Sequence, residues 1–302
     1  MKNGPRFRRF VAVDWSGARD AAIQRRAIWV CTIESGDEPF RVTELRHRRD
    51  RQETVEYLSN LAADRRPTLV GLDFPFSYPE RFLDVLDADD FQALLRRMRR
   101  EAGRIEQFVN RRIGPWWRKW ATDDLGGRRV VEREPGARGA ESPLRALRMS
   151  DRRYDFAGAK QVGKAAITGM AAIGDLLARV PSARVWPFHR DWSRGSLVLA
   201  EIWPRLALGS VVKTDSRARR LHVANLERQG LLLSAGQKRD AVASDDALDA
   251  LISALEMARG GWRPAELARL PAAAAREGWI LGIPWHPVTR EALPGQAGGR
   301  HP

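Results

Sequence analysis

Leu69-Val70-Gly71-Leu72-Asp73-Phe74-Pro75 is a short apolar run that ends in an acid and is stopped two residues later by a proline. A run of this length, rich in branched residues, reads as a buried strand. Proline cannot donate to a sheet ladder, so Pro75 leaves Asp73 at the mouth of the sheet, where open α/β sheets place their ligands. The same pattern stands near the start of the chain as Val11-Ala12-Val13-Asp14-Trp15-Ser16-Gly17. Between the two, residues 9–14 and 27–33 are apolar runs, and Phe40-Arg41-Val42-Thr43-Glu44-Leu45 alternates, which predicts three strands in succession. Gly17 and Ser35-Gly36-Asp37 supply the turns. Asp50 followed by Glu53 marks a capped helix start, running to about residue 64 with Val55, Leu58 and Leu61 on one face, and Pro67 ends it before the next strand. Three strands, a crossover helix and a fourth strand predict an α/β unit in which the last strand returns parallel to a neighbour.

Downstream the pattern changes. From about residue 78 to 195 the chain reads as a largely helical and loop insertion: Phe82 to Val109 is helical and heavily charged, and residues 121–145 are rich in Gly, Arg, Glu and Pro. The sheet resumes at Leu197 to Trp203, a helix is expected from about Ser216 to Gln229, and another runs from Ser244 to Met257 before Gly260-Gly261. No internal repeat is present, and residues 1–302 read as one domain carrying that insertion.

Five acids stand at strand ends or helix starts: Asp14, Asp73, Glu201 after Leu197-Val198-Leu199-Ala200, and Asp246 with Asp249 in the helix opened by Ser244. Positions 246 and 249 are i and i+3, which places both carboxylates on one helix face. Carboxylates from strand ends can converge with carboxylates from a helix, and several negative charges tolerate that proximity only with cations between them. The expectation is a divalent-metal site for Mg²⁺ or Mn²⁺ built from Asp14, Asp73, Asp246 and Asp249, with two ions activating water for phosphodiester cleavage. Plainer readings exist: Asp14 before Ser-Gly suits a turn, and Asp245 and Asp246 suit a helix dipole. Asp73 and Asp249 are harder to dismiss, because both are embedded in apolar neighbours where an unpaired charge is costly.

Taken together, Val13-Asp14-Trp15-Ser16-Gly17-Ala18, Gly71-Leu72-Asp73-Phe74-Pro75-Phe76-Ser77, Glu201-Ile202-Trp203-Pro204, Lys213 with Arg219, the Asp246 helix and Glu277-Gly278-Trp279-Ile280 resemble a prokaryotic domain-of-unknown-function family regarded as predicted nucleases with the ribonuclease H-like fold. Asp246-Ala247-Leu248-Asp249-Ala250-Leu251 is also similar to the last-helix motif of RuvC-like Holliday-junction resolvases. The resemblance implies a ribonuclease H-like mixed sheet flanked by helices and a metal-dependent nuclease, with Asp14 bridging the metals and Lys213, Arg219 and Ser16 meeting substrate. Glu201 departs from the resolvase pattern by coming from a later strand, and reads either as a catalytic ligand or as an orienting group.

The formal net charge of +14 would attract a polyanion, which makes nucleic acid, DNA or RNA, the expected partner. Only six of the 52 basic residues are lysine, so an Arg-rich composition is a competing explanation of the charge. Gly158-Ala159-Lys160-Gln161-Val162-Gly163-Lys164-Ala165 approaches a phosphate-binding P-loop, but Ala165 lacks the metal-ligating hydroxyl. Gly158, Gly163 and Gly169 with Lys160 and Lys164 are instead expected to form a flexible loop against substrate phosphate. Arg96-Arg97-Met98-Arg99-Arg100, Arg111-Arg112 and Trp116-Trp117-Arg118-Lys119-Trp120 interleave charge with aromatic rings, as a single-strand-binding surface would, or as a solvated helix face would. One cysteine, Cys31, rules out an intramolecular disulfide and suits a reducing compartment. The basic start lacks the apolar core of a signal peptide, and no stretch approaches the roughly 18 apolar residues of a membrane span, so a cytoplasmic protein without a membrane partner is expected. The oligomeric state is open, a homodimer included. The competing functions are a nucleic-acid-binding protein of the same fold without turnover and a small-molecule phosphotransferase of the actin-like type, which would need two such halves where the chain shows one.

Overall fold

The computed structural model describes residues 7–34, 40–78, 80–104, 162–189, 191, 196–209, 211–260, 270 and 274–283. Six strands among them form one mixed sheet: β1 (Arg9–Asp14), β2 (Trp29–Glu34), β3 (Arg41–Arg46), β4 (Thr68–Leu72), β5 (Arg184–Val185) and β6 (Leu197–Glu201), in the order β3-β2-β1-β4-β6-β5. β1, β2 and β3 form an antiparallel meander, while β4 pairs parallel with both β1 and β6, and β5 runs parallel at the far edge. The result is an α/β architecture with helices on both faces, compatible with the ribonuclease H-like arrangement.

Strand alternation sorts the core into two layers. Val11, Val13, Val30, Val70, Leu72, Leu197 and Leu199 face one side. There they meet α2 (Arg51–Leu61), α4 (Phe91–Ala102) and α5 (Val162–Arg179) through Val55, Leu58, Leu94, Met98, Met170 and Ile173. Phe10, Ala12, Trp29, Cys31, Leu69, Val198 and Ala200 face the other side, against α7 (Ser216–Arg228), α8 (Ala235–Ala243) and α9 (Asp245–Gly260). α9 is the central helix of that second layer: Leu248, Leu251, Ile252 and Leu255 are all buried, and Gly71 lets it approach the sheet. A Cβ at Gly71 would lie 2.6 Å from Ile202 Cγ2 and 2.9 Å from Met257 Cε.

The first strands, α2 and β4 lie where the sequence puts them, and the Asp50–Glu53 capping box is present. Short helices are additions: α1 (Ala21–Ala27), α6 (Pro204–Leu208), α8 and α10 (Ala274–Glu277), and the helix expected from Phe82 to Val109 is two among the described residues, α3 (Glu80–Val85) and α4, parted at residues 86–90. The described ends of the expected 78–195 insertion are built into the molecule: α4 and α5 pack on the sheet and β5 extends it. The Gly163–Gly169 segment, expected as a flexible loop, is helical within α5, whose Ala166, Ile167, Met170 and Ile173 form a buried stripe, and Gly169 lies so near the Phe74 ring that a Cβ would come to 2.5 Å. Gly158, Lys160, Arg111-Arg112 and Trp116 to Trp120 lie outside the described residues. No described helix is long and apolar enough to cross a membrane.

Candidate active site

Parity places the acids. Val13 and Leu72 are register partners on β1 and β4 and point into the first layer, so Asp14 and Asp73, one residue on, turn side by side toward α9. The Asp73 N–H continues the ladder by donating to the Val13 carbonyl at 3.1 Å. Opposite them stands the first turn of α9, capped by Ser244, whose Oγ accepts from the Ala247 N–H at 3.2 Å. Asp246 from that turn and Asp249 from the next face the two strand ends, and the Asp14 carboxyl lies close to those of both Asp73 and Asp246. The structure thus brings together Asp14, Asp73, Asp246 and Asp249, four carboxylates from three separate elements.

Crowding shows in their ionisation. The Asp14 carboxyl is held well above its usual range, first by burial and then by the charges of Asp73, Asp246 and Asp249. Burial and the Asp249 charge push Asp73 up to about 7, and burial pushes Asp249 up to about 6. Asp246 is raised by burial and by Asp245. The Lys213 ammonium opposes all four shifts. It lies in the turn before α7 and pairs with Asp249 Oδ2. Burial alone would lower the Lys213 pKa, but Asp249, Asp14 and Asp245 outweigh it, and the ammonium stays charged.

The second carboxylate oxygen, Asp249 Oδ1, is buried without a hydrogen-bond partner. A buried charged oxygen left unsatisfied is expensive unless a cation or a donor completes it. Among the described residues no three acidic, histidine or cysteine side chains form a ready coordination shell. One oxygen of Asp249 is drawn to Lys213 while the other stays unpaired, so a single ammonium is the cation set against the acids among the described residues.

Glu201 plays another part. The parity that turns Asp14 and Asp73 toward α9 turns Glu201 to the opposite face, where its Oε2 accepts the Phe76 N–H at 3.0 Å. Its backbone carbonyl accepts from Leu281 at 2.8 Å, and Ile280 forms a bridge beside it. Glu201 therefore fixes the Asp73-Phe74-Pro75-Phe76 turn and ties it to Glu277-Gly278-Trp279-Ile280, which positions Asp73 from behind.

Arg219, expected at substrate phosphate, is buried, and its guanidinium is used up inside the protein. Nε and Nη2 donate to the Val242 and Ala243 carbonyls at 2.7 and 3.2 Å, satisfying the last turn of α8, and Nη1 donates to the Lys213 carbonyl. Lys213 itself, expected to meet phosphate as well, is an ion-pair partner of the acids in this state. Ser16 stays beside Asp14 in the loop after β1; its Oγ accepts from the Ala18 N–H at 3.2 Å. Lys164, in the first turn of α5, backs onto the same loop at Gly17, where a Cβ would lie 2.6 Å from Ala165 N. The sequence did not single out Arg51, whose Nη1 donates to the carbonyls of Ser16 and Ala18 at 3.2 and 2.6 Å and so fixes that loop. A cleft lined by Arg46, His47, Arg48, Ser234 and Asp240 borders β3 and α8, about 640 Å³ in volume, and shares no residue with the acids. The chain matches no family model, no curated protein and no solved structure.

Proposed function

We propose that the protein is a divalent-metal-dependent nuclease that hydrolyses phosphodiester bonds, with the ribonuclease H-like family as its kin. The observation that carries this reading is the convergence of Asp14, Asp73, Asp246 and Asp249 at the carboxyl ends of β1 and β4 beneath the first turn of α9. The donor set suits Mg²⁺ or Mn²⁺: all four side chains offer hard oxygens, and Asp249 Oδ1 is buried with no partner. Bound there, divalent ions would activate a water and stabilise the leaving oxygen.

Asp14, Asp73, Asp246 and Asp249 are the residues that would hold the ions. Glu201 keeps the Asp73 turn in position, and Arg51 keeps the loop carrying Ser16 from folding away. Ser16, two residues after Asp14, and Lys164, which backs onto the same loop at Gly17, are the groups we assign to substrate contact, together with Lys213. The net charge of +14 supports a nucleic acid as substrate, and the single buried cysteine agrees with a cytoplasmic setting.

The test is cleavage of a panel of single-stranded, duplex, hybrid and branched DNA and RNA with Mg²⁺ or Mn²⁺, by the parent and by Asp73→Asn. Cleavage that needs the cation and is lost in Asp73→Asn is expected. Activity that survives excess chelator, or survives the substitution undiminished, would place the chemistry elsewhere. Binding without turnover by the parent would instead favour a nucleic-acid-binding protein.

A further inference from the structure

Lys213 sits where a cation is wanted. Its ammonium pairs with Asp249 Oδ2 and is drawn by Asp14 and Asp245 as well, so one positive charge answers a cluster of carboxylates. Its main chain is anchored, since the buried Arg219 guanidinium holds the Lys213 carbonyl and the last carbonyls of α8 at once. The side chain is not: it is 36% exposed against 5% for Asp249, on a four-carbon stem that can swing without moving its backbone.

We propose that Lys213 is a resident counter-ion of the acid cluster, displaced by the divalent cation and thereby released to contact the substrate's phosphate. The inference rests on the nuclease reading. Simple electrostatics decides the exchange. A divalent ion at about 2.1 Å from a carboxylate oxygen attracts it two to three times as strongly as an ammonium at about 2.8 Å in the same surroundings. A cation drawn to the orphaned Asp249 Oδ1 would also face the Lys213 ammonium across a single carboxylate, where like charges repel. The ammonium therefore leaves along its exposed side. At the mouth of the site the groups that need a positive partner are the phosphates of the nucleic acid, and a mobile lysine serves them as a point charge.

Titration of Mn²⁺ into the full chain, with no substrate present, separates the possibilities. Lys213→Met removes the competing charge and keeps the stem, so the variant is expected to bind Mn²⁺ about fivefold tighter than the parent, the factor that a partly exposed ion pair carries. Its binding to duplex DNA with Ca²⁺ in place of Mg²⁺ or Mn²⁺ should show a salt slope lower by about 0.9, one phosphate contact. Equal or weaker Mn²⁺ affinity in Lys213→Met overturns the inference and leaves the nuclease reading standing. Absence of Mn²⁺ binding in the parent overturns both. Should Lys213→Met fail to fold, the parent crystallised with Mn²⁺ decides: Lys213 Nζ away from Asp249 is expected, and an intact ion pair beside a bound ion overturns the exchange.

Discussion

Asp73 carries the cost of the site in its most legible form. Its carboxyl is pushed up to about 7, first by burial and then by Asp249, so the folded protein binds a proton there more tightly than the unfolded chain does. The sign follows from linkage: the folded state is not penalised below the unfolded carboxylate range and loses stability as pH rises toward and past 7. In chelator, Asp73→Asn should therefore be more stable than the parent at pH 8, by on the order of a few kcal/mol, and the advantage should shrink as pH falls toward 5.5. Thermal unfolding of both proteins across that range checks it; a destabilised Asp73→Asn at pH 8 would show that Asp73 is not under charge strain. The acids themselves were legible in the sequence because a strand that ends in Asp before Pro75, or in Asp before Ser-Gly, announces where the chain leaves the sheet. Arg219 was not. Its burial depends on the carbonyls of Val242 and Ala243, more than twenty positions away, and nothing local marks an arginine as internal.

Elements hold these residues through close approaches rather than through the acids. The loop after β1 lies so near the start of α5 that a Cβ at Gly17 would meet Ala165 N at 2.6 Å, a backbone atom that cannot swing aside. Gly17→Ala should destabilise by about 1–3 kcal/mol in urea unfolding, as overpacking does, and should weaken cation binding by displacing Asp14. An unchanged midpoint would mean that loop and helix are free to part. On the other face, Glu201→Ala leaves the buried Phe76 N–H without its acceptor, a loss of about 1–3 kcal/mol. Glu201→Gln, which keeps an acceptor, should recover most of it; equal losses would remove the hydrogen bond from the explanation. β1 to β4, β6 and the helices α2, α7 and α9 were readable because their apolar residues recur with the right period. α1 and α8 were not, since α1 buries Gln24 and α8 buries little beyond Ala241, leaving no apolar stripe to read. The reach of α5 onto Phe74 was equally hidden, because glycines at 163 and 169 suggest a loop until the ring that fills the space is known.

Across the whole molecule the charge is unevenly available. On α4, Arg97 pairs with Glu101 at 2.8 Å and Arg99 with Asp175 at 2.8 Å, whereas Arg96 and Arg100 are exposed. Reversing Arg96 and Arg100 to Glu should lower the salt slope of DNA binding by no more than about 1.8, two contacts at 0.9 each, and a larger fall would mean that the ion-paired arginines also reach the nucleic acid. The proposed cation site lies where two parallel strands and one capped helix bring four carboxylates together. Diffraction from a crystal of the full chain soaked in Mn²⁺, recorded for the manganese anomalous signal, tests that claim most directly. An anomalous peak bounded by the carboxylates of Asp14, Asp73 and Asp249 is expected, as is its loss in Asp73→Asn. No peak at millimolar Mn²⁺, or the same peak in Asp73→Asn, would contradict the claim.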